Sequence, residues 1–194
     1  MKREVLSMSD ESLRENQVSS ELIFDGKILH LYHDQVSLPN GEGAFRELVR
    51  HVGAVCVLPI TDDGCAVMER QYRYPVDRVL LEIPAGKLDS KAEDHEAAAR
   101  RELEEETGYR AETLIPLGVF YPACAYSDET IWMYLAKGLT RGERHLDEDE
   151  FLDVELIPLK ELVRAVMAGE VPDAKTQIAI LKAAVHEGVL AATD

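Results

Sequence analysis

The sequence predicts an α/β domain built around a mixed β-sheet, and three observations carry that reading. Apolar runs of strand character fill most of the chain, a strongly helical segment interrupts them at residues 92–106, and two more helical segments close the chain. Strands split by a central helix and followed by further helices fit a sheet with helical cover. A length of 194 residues allows one domain with a sizeable core, or a domain with a small accessory layer.

Residues 1 to about 18 are polar and are expected to be loosely ordered. From Glu21 the pattern turns to strand: ELIF, the pair Asp25-Gly26, then KILHLYHDQVSL. A DG pair between apolar runs is a strong short-range hairpin signal. PNGEG at 39–43 makes another turn before AFRELVRHV. GAVCVLPI at 53–60, the TDDG turn and CAVMERQYR at 65–73 read as a further pair of strands, and VLLEI at 79–83 as one more. TLIPLGVFY and TIWMYLA are later strands, separated by a loop from Pro122 to Glu129. The last two helices follow Pro158, whose fixed φ suits a first helical turn, and Asp173, a good N-cap.

Composition narrows the function. Asp and Glu total 37 against 21 Lys and Arg, a net charge of -16. So acidic a surface repels phosphate backbones, which argues against sequence-independent nucleic-acid binding. It suits a protein that collects divalent cations, although solubility alone accounts for it equally well. Cys56, Cys65 and Cys124 form no CxxC pair, and the first two sit in apolar runs as expected core residues of a reducing compartment. The N-terminal residues hold no apolar stretch suited to a signal peptide, and no segment approaches the roughly 20 apolar residues of a membrane span. A cytoplasmic location without a membrane partner is the expectation. His30 and His33 differ by an odd number along a strand, face opposite sides and make a poor metal pair. The acidic run from Asp147 to Glu150 has no spacing logic and reads as a solvated turn.

The segment richest in chemistry runs from Gly86 to Tyr109, GKLDSKAEDHEAAARRELEEETGY. At about 100° per residue, Glu105 and Glu106 lie about 300° and about 40° around the helix from Glu102, whereas Glu104 points about 200° away. Three carboxylates therefore share one arc, where like charges destabilise an isolated helix. A bound cation reverses that penalty, and hard Mg²⁺ prefers carboxylate oxygens with room left for water and phosphate. Arg101 lies beside the arc, placed to pair with Glu105 and hold its rotamer. Thr107-Gly108 closes the helix with the usual left-handed cap residue. Glutamate runs on most helices are merely solvated faces, and Ser90-x-x-Glu93 has its own reading as a capping box. Spacing and neighbours decide here.

This segment resembles the Nudix box, G-x5-E-x7-R-E-U-x-E-E-x-G-U with U apolar. Glu93, Arg101, Glu102, Leu103, Glu105, Glu106, Gly108 and Tyr109 fall in register. Six residues, 87–92, separate Gly86 from Glu93 where the pattern has five, and the extra one lies in the loop before the helix. Gln71-Tyr72-Arg73, the stretch from Leu81 to Gly86, Ser127-Asp128-Glu129 and Asp173-Ala174-Lys175-Thr176 are similar to the ADP-ribose pyrophosphatase branch of that family. The likeness covers most of the chain from about residue 21 onward.

The resemblance implies an α/β/α sandwich around a mixed sheet, with residues 51–194 as the catalytic domain. It implies a homodimer that exchanges N-terminal β-structure, for which residues 1–50, with the hairpin at 21–50, are the candidate. By matching position, the Ala85 carbonyl, Glu102 and Glu106 would ligate Mg²⁺, with Mn²⁺ as a substitute and Glu105 sharing or bridging ions. Arg73 would meet substrate phosphate with help from Arg70, and Glu82 would lie near substrate. An exposed strand arginine, or a strand-end glutamate facing solvent, is the plainer reading of these three. Glu129 matches a loop glutamate that acts as general base in several relatives, and Glu105 and Arg101 complete the catalytic set. The implied reaction is hydrolysis of ADP-ribose to AMP and ribose 5-phosphate.

One departure bears on the substrate. Cys124-Ala125 stands where this branch usually carries a Pro-Gly pair, and Ala125 would be costly in a glycine-type left-handed conformation. Cys124 has no basic residue or histidine near it in sequence and reads as loop filler. Other nucleoside diphosphate sugars (ADP-glucose, GDP-mannose) and dinucleotides such as NADH remain alternatives. A non-catalytic ADP-ribose sensor would be expected to have lost box carboxylates or gained a basic appendage; this chain has Glu102, Glu105 and Glu106 and no basic tail.

Overall fold

Two turns fold residues 16–50 into a three-stranded antiparallel sheet. In the computed structural model, which describes residues 9–146 and 150–191, β1 (Asn16–Asp25), β2 (His30–Ser37) and β3 (Gly43–Arg50) pair in chain order. The Asp25-Gly26 signal marks the first turn, where the Gly26 N–H donates to the Leu29 carbonyl at 2.8 Å. Gly41, at φ 86°, makes the second. β1 starts five residues before the strand expected from Glu21, so residues 16–18 are not loosely ordered. Their polar side chains hid a strand that is exposed along its whole length. The described part of Met1–His51 forms one compact unit with Ala123–Glu129, and the rest of the chain forms a second.

The second unit is built on β4 (Ala54–Pro59), whose six residues are all buried. It pairs in parallel with β9 (Ile131–Arg141) and antiparallel with β7 (Ala85–Lys87), while β8 (Tyr109–Phe120) lies beyond β9. This is the mixed sheet. A further antiparallel sheet places β5 (Cys65–Arg73) between β6 (Arg78–Glu82) and β10 (Leu152–Pro158). Alternation along β4 sends Cys56 and Leu58 to one face and Val55 and Val57 to the other. The first face packs against Leu162 and Val163 of α2 (Leu159–Met167) and Ala179 and Ile180 of α3 (Ala174–His186). The second packs against Ala98, Ala99 and Leu103 of α1 (His95–Thr107). Helices thus cover both faces, which is why β4 reads as an unbroken apolar run.

Several sequence expectations need correction. GAVCVLPI and CAVMERQYR are both strands but not a pair: β4 and β5 belong to different sheets and share only an isolated Ile60–Ala66 bridge. β10 was not anticipated, because Asp153 and Glu155 break up its apolar positions. α1 begins at His95 rather than Ala92, capped by Asp94, whose carboxylate accepts from the Ala97 N–H at 2.8 Å. Ser90 and Glu93 therefore form no capping box; the Glu93 N–H reaches the Ser90 carbonyl and its carboxylate accepts from the Asp89 N–H at 2.6 Å. Cys56 is buried as expected, but Cys65 is only half-buried, beside Asp63. Of the acidic run from Asp147 to Glu150, residues 147–149 lie outside the described residues, as do 1–8. Among the described residues no helix is long and apolar enough to cross a membrane.

Candidate active site

α1 places its glutamates as the helical arc predicts. Glu102 and Glu106 are 8% and 4% exposed, and Glu105 lies beside them, more open to solvent. Glu104 turns to the surface and accepts from the Arg110 Nε at 2.8 Å. Arg101 ties the arc together, donating to Glu102 at 2.7 Å, Glu105 at 3.1 Å and Glu93 at 3.2 Å. Glu93 keeps this contact, so the extra residue of the 87–92 stretch is absorbed in the loop without disturbing the helix. Gly108 ends α1 at φ 72°, its N–H donating to the Glu104 carbonyl.

β7 crosses this acidic face. Gly86 passes so near Glu102 that a Cβ would overlap its carboxylate, so only glycine lets the strand through. The Ala85 N–H donates to Glu106 Oε2 at 2.9 Å, which fixes one residue of the strand against the helix. A cavity of about 250 Å³ opens here, lined in part by Ala85, Gly86, Arg101, Glu102, Glu105 and His145. Ala85, Glu102, Glu105, Glu106 and Arg101 are thus brought together.

A fourth carboxylate belongs to the same neighbourhood. Glu69 of β5 is 3% exposed, and its Oε1 has no hydrogen-bond partner among the described residues. Burial pushes the Glu102 carboxyl up to about 7, with Arg101 partly opposing. Glu69 is pushed up to about 8, again first by burial. Glu106 rises to about 10, through burial and then the charges of Glu69 and Glu102. Of these three buried carboxylates only Glu102 is bonded to a guanidinium, that of Arg101, while Arg144 and Lys175 act on Glu69 from a distance, so burial dominates all three. Among the described residues no three acidic, histidine or cysteine groups converge closely enough to enclose an ion unaided. Glu102 is turned to Arg101 and Glu106 to the Ala85 N–H. The donor chemistry nevertheless fits a hard divalent cation, with only oxygen ligands, an unpaired buried carboxylate oxygen and a glycine-cleared approach.

Glu82 is also buried but has cations of its own. It ends β6 at 2% exposure, so it does not face solvent. Arg73 forks onto it with Nε at 2.7 Å and Nη2 at 2.9 Å, and Lys175 Nζ bonds it as well. Burial alone would raise the Glu82 carboxyl, but these two cations hold it below its ordinary range. Lys175 is oriented in turn by Asp173 at 3.1 Å, and the Thr176 hydroxyl accepts from the Ile83 N–H at 3.1 Å. The first turn of α3 thereby clamps the chain just before Ala85. Arg70 projects from the other face of β5 from Arg73 and pairs with Glu155 at 3.4 Å, so these two arginines do not converge.

Glu129 and Cys124 belong to the first unit. There the Glu129 carboxylate is 3.6 Å from His51 Nδ1, and the Asp128 carboxylate accepts from the His51 N–H at 2.6 Å. The loop is a tight turn in which the N–H groups of Tyr126 and Ser127 both donate to the Ala123 carbonyl. Asp77 is the only described non-glycine residue at positive φ, so Ala125 escapes the expected left-handed cost. Cys124 is exposed, at a cavity of about 380 Å³ that Gln17, Asp34 and Arg46 also line.

Sequence reasoning missed Glu69 and gave Lys175 no role. In CAVMERQYR, strict alternation puts Glu69 on the face of Val67, but its burial requires neighbours on both sides of β5, one of which is the unforeseen β10. For Lys175 the signal was the Asp173 cap, which fixes where its side chain begins.

Comparison with known proteins adds independent evidence. Residues 49–178 match the NUDIX domain family. The chain is 46% identical over 172 residues to an ADP-ribose pyrophosphatase of Bacillus subtilis (strain 168), covering 88% of this chain and 92% of that one. It is 45% identical over 168 residues to a methanol dehydrogenase activator of Bacillus methanolicus, covering 86% and 90%. A crystal structure of an ADP compounds hydrolase shares the fold, with a TM-score of 0.81 at 23% identity, covering 95% of this chain and all of that one.

Proposed function

The chain belongs to the NUDIX domain family and is a pyrophosphohydrolase, and we propose that it hydrolyses ADP-ribose to AMP and ribose 5-phosphate with Mg²⁺, or Mn²⁺ in its place. The observation that carries this reading is the buried, cation-poor carboxylate group on α1 and β7, together with 46% identity to an ADP-ribose pyrophosphatase. Glu102, Glu106 and the Ala85 carbonyl would hold the ion, with Glu105 at its solvent side. A bound divalent ion neutralises the diphosphate, orients it and lowers the pKa of an attacking water.

The protein's own groups do the rest. Arg101 keeps Glu102 and Glu105 in one arc before an ion arrives and shields their mutual repulsion. Arg73, with Nε and Nη2 committed to Glu82, has Nη1 left for a phosphate oxygen. Glu82 holds that guanidinium in place rather than touching solvent. The resemblance further implies a lesser phosphate contact for Arg70, although Arg70 projects from the opposite face of β5 from Arg73, and the removal of a proton from water for Glu129.

Support for a homodimer comes from β1, an edge strand with Val18, Leu22, Ile23 and Phe24 exposed. An apolar edge of this kind needs cover, and a second copy supplies it. Light scattering at micromolar concentration should give twice the chain mass; a stable, active monomer contradicts this. A cytoplasmic location is part of the same proposal.

Kinetics on a substrate panel test the reaction. ADP-ribose, ADP-glucose, GDP-mannose and NADH are compared by kcat/KM with Mg²⁺ and with Mn²⁺. ADP-ribose is expected to lead, and no turnover of it overturns the substrate assignment while leaving the panel to show which diphosphate is cleaved.

A further inference from the structure

The roles assigned above leave Glu69 unused, although few polar groups in the molecule are so thoroughly buried. Its carboxylate is 3% exposed and Oε1 has no partner among the described residues. An unpaired carboxylate oxygen in the interior is costly, and native structures tolerate one only where something else completes it. The nearby cations are engaged elsewhere. Lys175 bonds Glu82 and Asp173, and Arg144 donates to the Leu152 carbonyl at 2.7 Å, so both act on Glu69 only at a distance.

Placement along β5 then matters. Glu69 stands directly opposite Glu82 in the β5–β6 register, and Glu82 is only three residues before Ala85, whose N–H holds Glu106. The Glu69 charge bears on Glu106 more strongly than that of Glu102, which lies one turn away on the same helix. Glu69 thus sits on the strand paired with the one that leads into the Ala85 turn, and among the described residues no side-chain cation is hydrogen-bonded to its Oε1.

We propose that Glu69 is a further carboxylate ligand of the divalent-cation site built on Glu102 and Glu106, reaching it from β5 rather than from α1. Oxygen donors from separate elements suit a hard cation, which takes six or more oxygens and repays the unpaired carboxylate oxygen. The inference rests on the metal site assigned above. A competing role, in which a protonated Glu69 merely donates a hydrogen bond to Glu106, makes a different prediction. Glutamine retains a donor at that position but is a poor cation ligand.

The test is Mn²⁺ binding without substrate, with free Mn²⁺ read by electron paramagnetic resonance. Glu69→Gln, Glu69→Met, Glu102→Gln and Glu104→Gln are compared with the natural protein. Methionine fills the volume with no oxygen, so it serves if the glutamine variant does not fold, and circular dichroism checks both. Glu69→Gln and Glu69→Met are expected to weaken the tightest Mn²⁺ site at least about tenfold. Glu104→Gln should bind as the natural protein does. Natural affinity and stoichiometry in a folded Glu69 variant, with binding lost in Glu102→Gln, overturn the inference and leave the helix site standing. Natural binding in Glu102→Gln overturns the helix site and this inference together.

Discussion

Glu69 and Glu82 face each other across the β5–β6 hairpin and are buried almost equally, at 3% and 2% exposure, yet their surroundings are opposite. Glu82 has Arg73 forked onto it and Lys175 beside it, and its carboxyl is held below the ordinary range. Glu69 has an unpaired oxygen and its charge bears on Glu106, and both carboxyls are driven upward, first by burial. One carboxylate is a structural joint, tying β5, β6 and α3 together. The other has no cation bonded to it among the described residues and belongs to a group of buried carboxylates of which only Glu102 is paired with an arginine. A buried carboxylate with protein cations holds a fold in shape; one without them leaves a place for a cation from solution.

That contrast predicts two kinds of damage. The largest effect is expected on the cation-poor side. Glu106→Gln keeps the shape but removes the charge, and kcat/KM for ADP-ribose with Mg²⁺ should fall at least about 100-fold. Glu104→Gln, whose side chain turns to Arg110 at the surface, should stay within about twofold. Equal losses in the two variants would contradict the assignment.

On the cation-rich side the damage should be to stability. Lys175→Met leaves Glu82 with Arg73 alone and should cost about 2 kcal/mol in urea unfolding at neutral pH. The sign with pH follows from the depressed Glu82 carboxyl. Its contribution is complete above the ordinary value of 4.5 and is lost as pH falls through the lower folded-state value. The two unfolding curves should therefore approach each other in acid. A constant gap would mean that Lys175 acts through packing rather than through Glu82.

Much of the cation-poor side was legible in the sequence, because helical periodicity alone separates Glu102, Glu105 and Glu106 from Glu104. The Arg101–Glu105 pair and the Gly108 cap followed from the same spacing. Glu69 was not legible, since its burial depends on β10, a strand some eighty residues later whose acidic positions disguise it. One partner of Glu82 was hidden for the same reason: Lys175 reaches it across 93 residues of chain. Local pattern reports what one element presents to its own faces. Which charge meets which countercharge is set by packing between elements, and there the plainer alternative for Glu82, a strand-end glutamate facing solvent, gave way to a buried ion cluster.

The most direct test of the central claim is unfolding of the natural protein in EDTA and in excess Mg²⁺ from about pH 5.5 to about pH 8.5. Folded-state values of about 7, 8 and 10 for Glu102, Glu69 and Glu106 lie above the ordinary 4.5. The folded, metal-free protein therefore holds more protons than the unfolded chain across this window and loses stability as pH rises. A bound Mg²⁺ favours the ionised carboxylates, so its stabilising effect should grow with pH. The midpoint should fall with pH in EDTA, and the gap to the Mg²⁺ curve should widen by an order of about 2 kcal/mol. Superimposed curves, or a gap that does not change with pH, would contradict it.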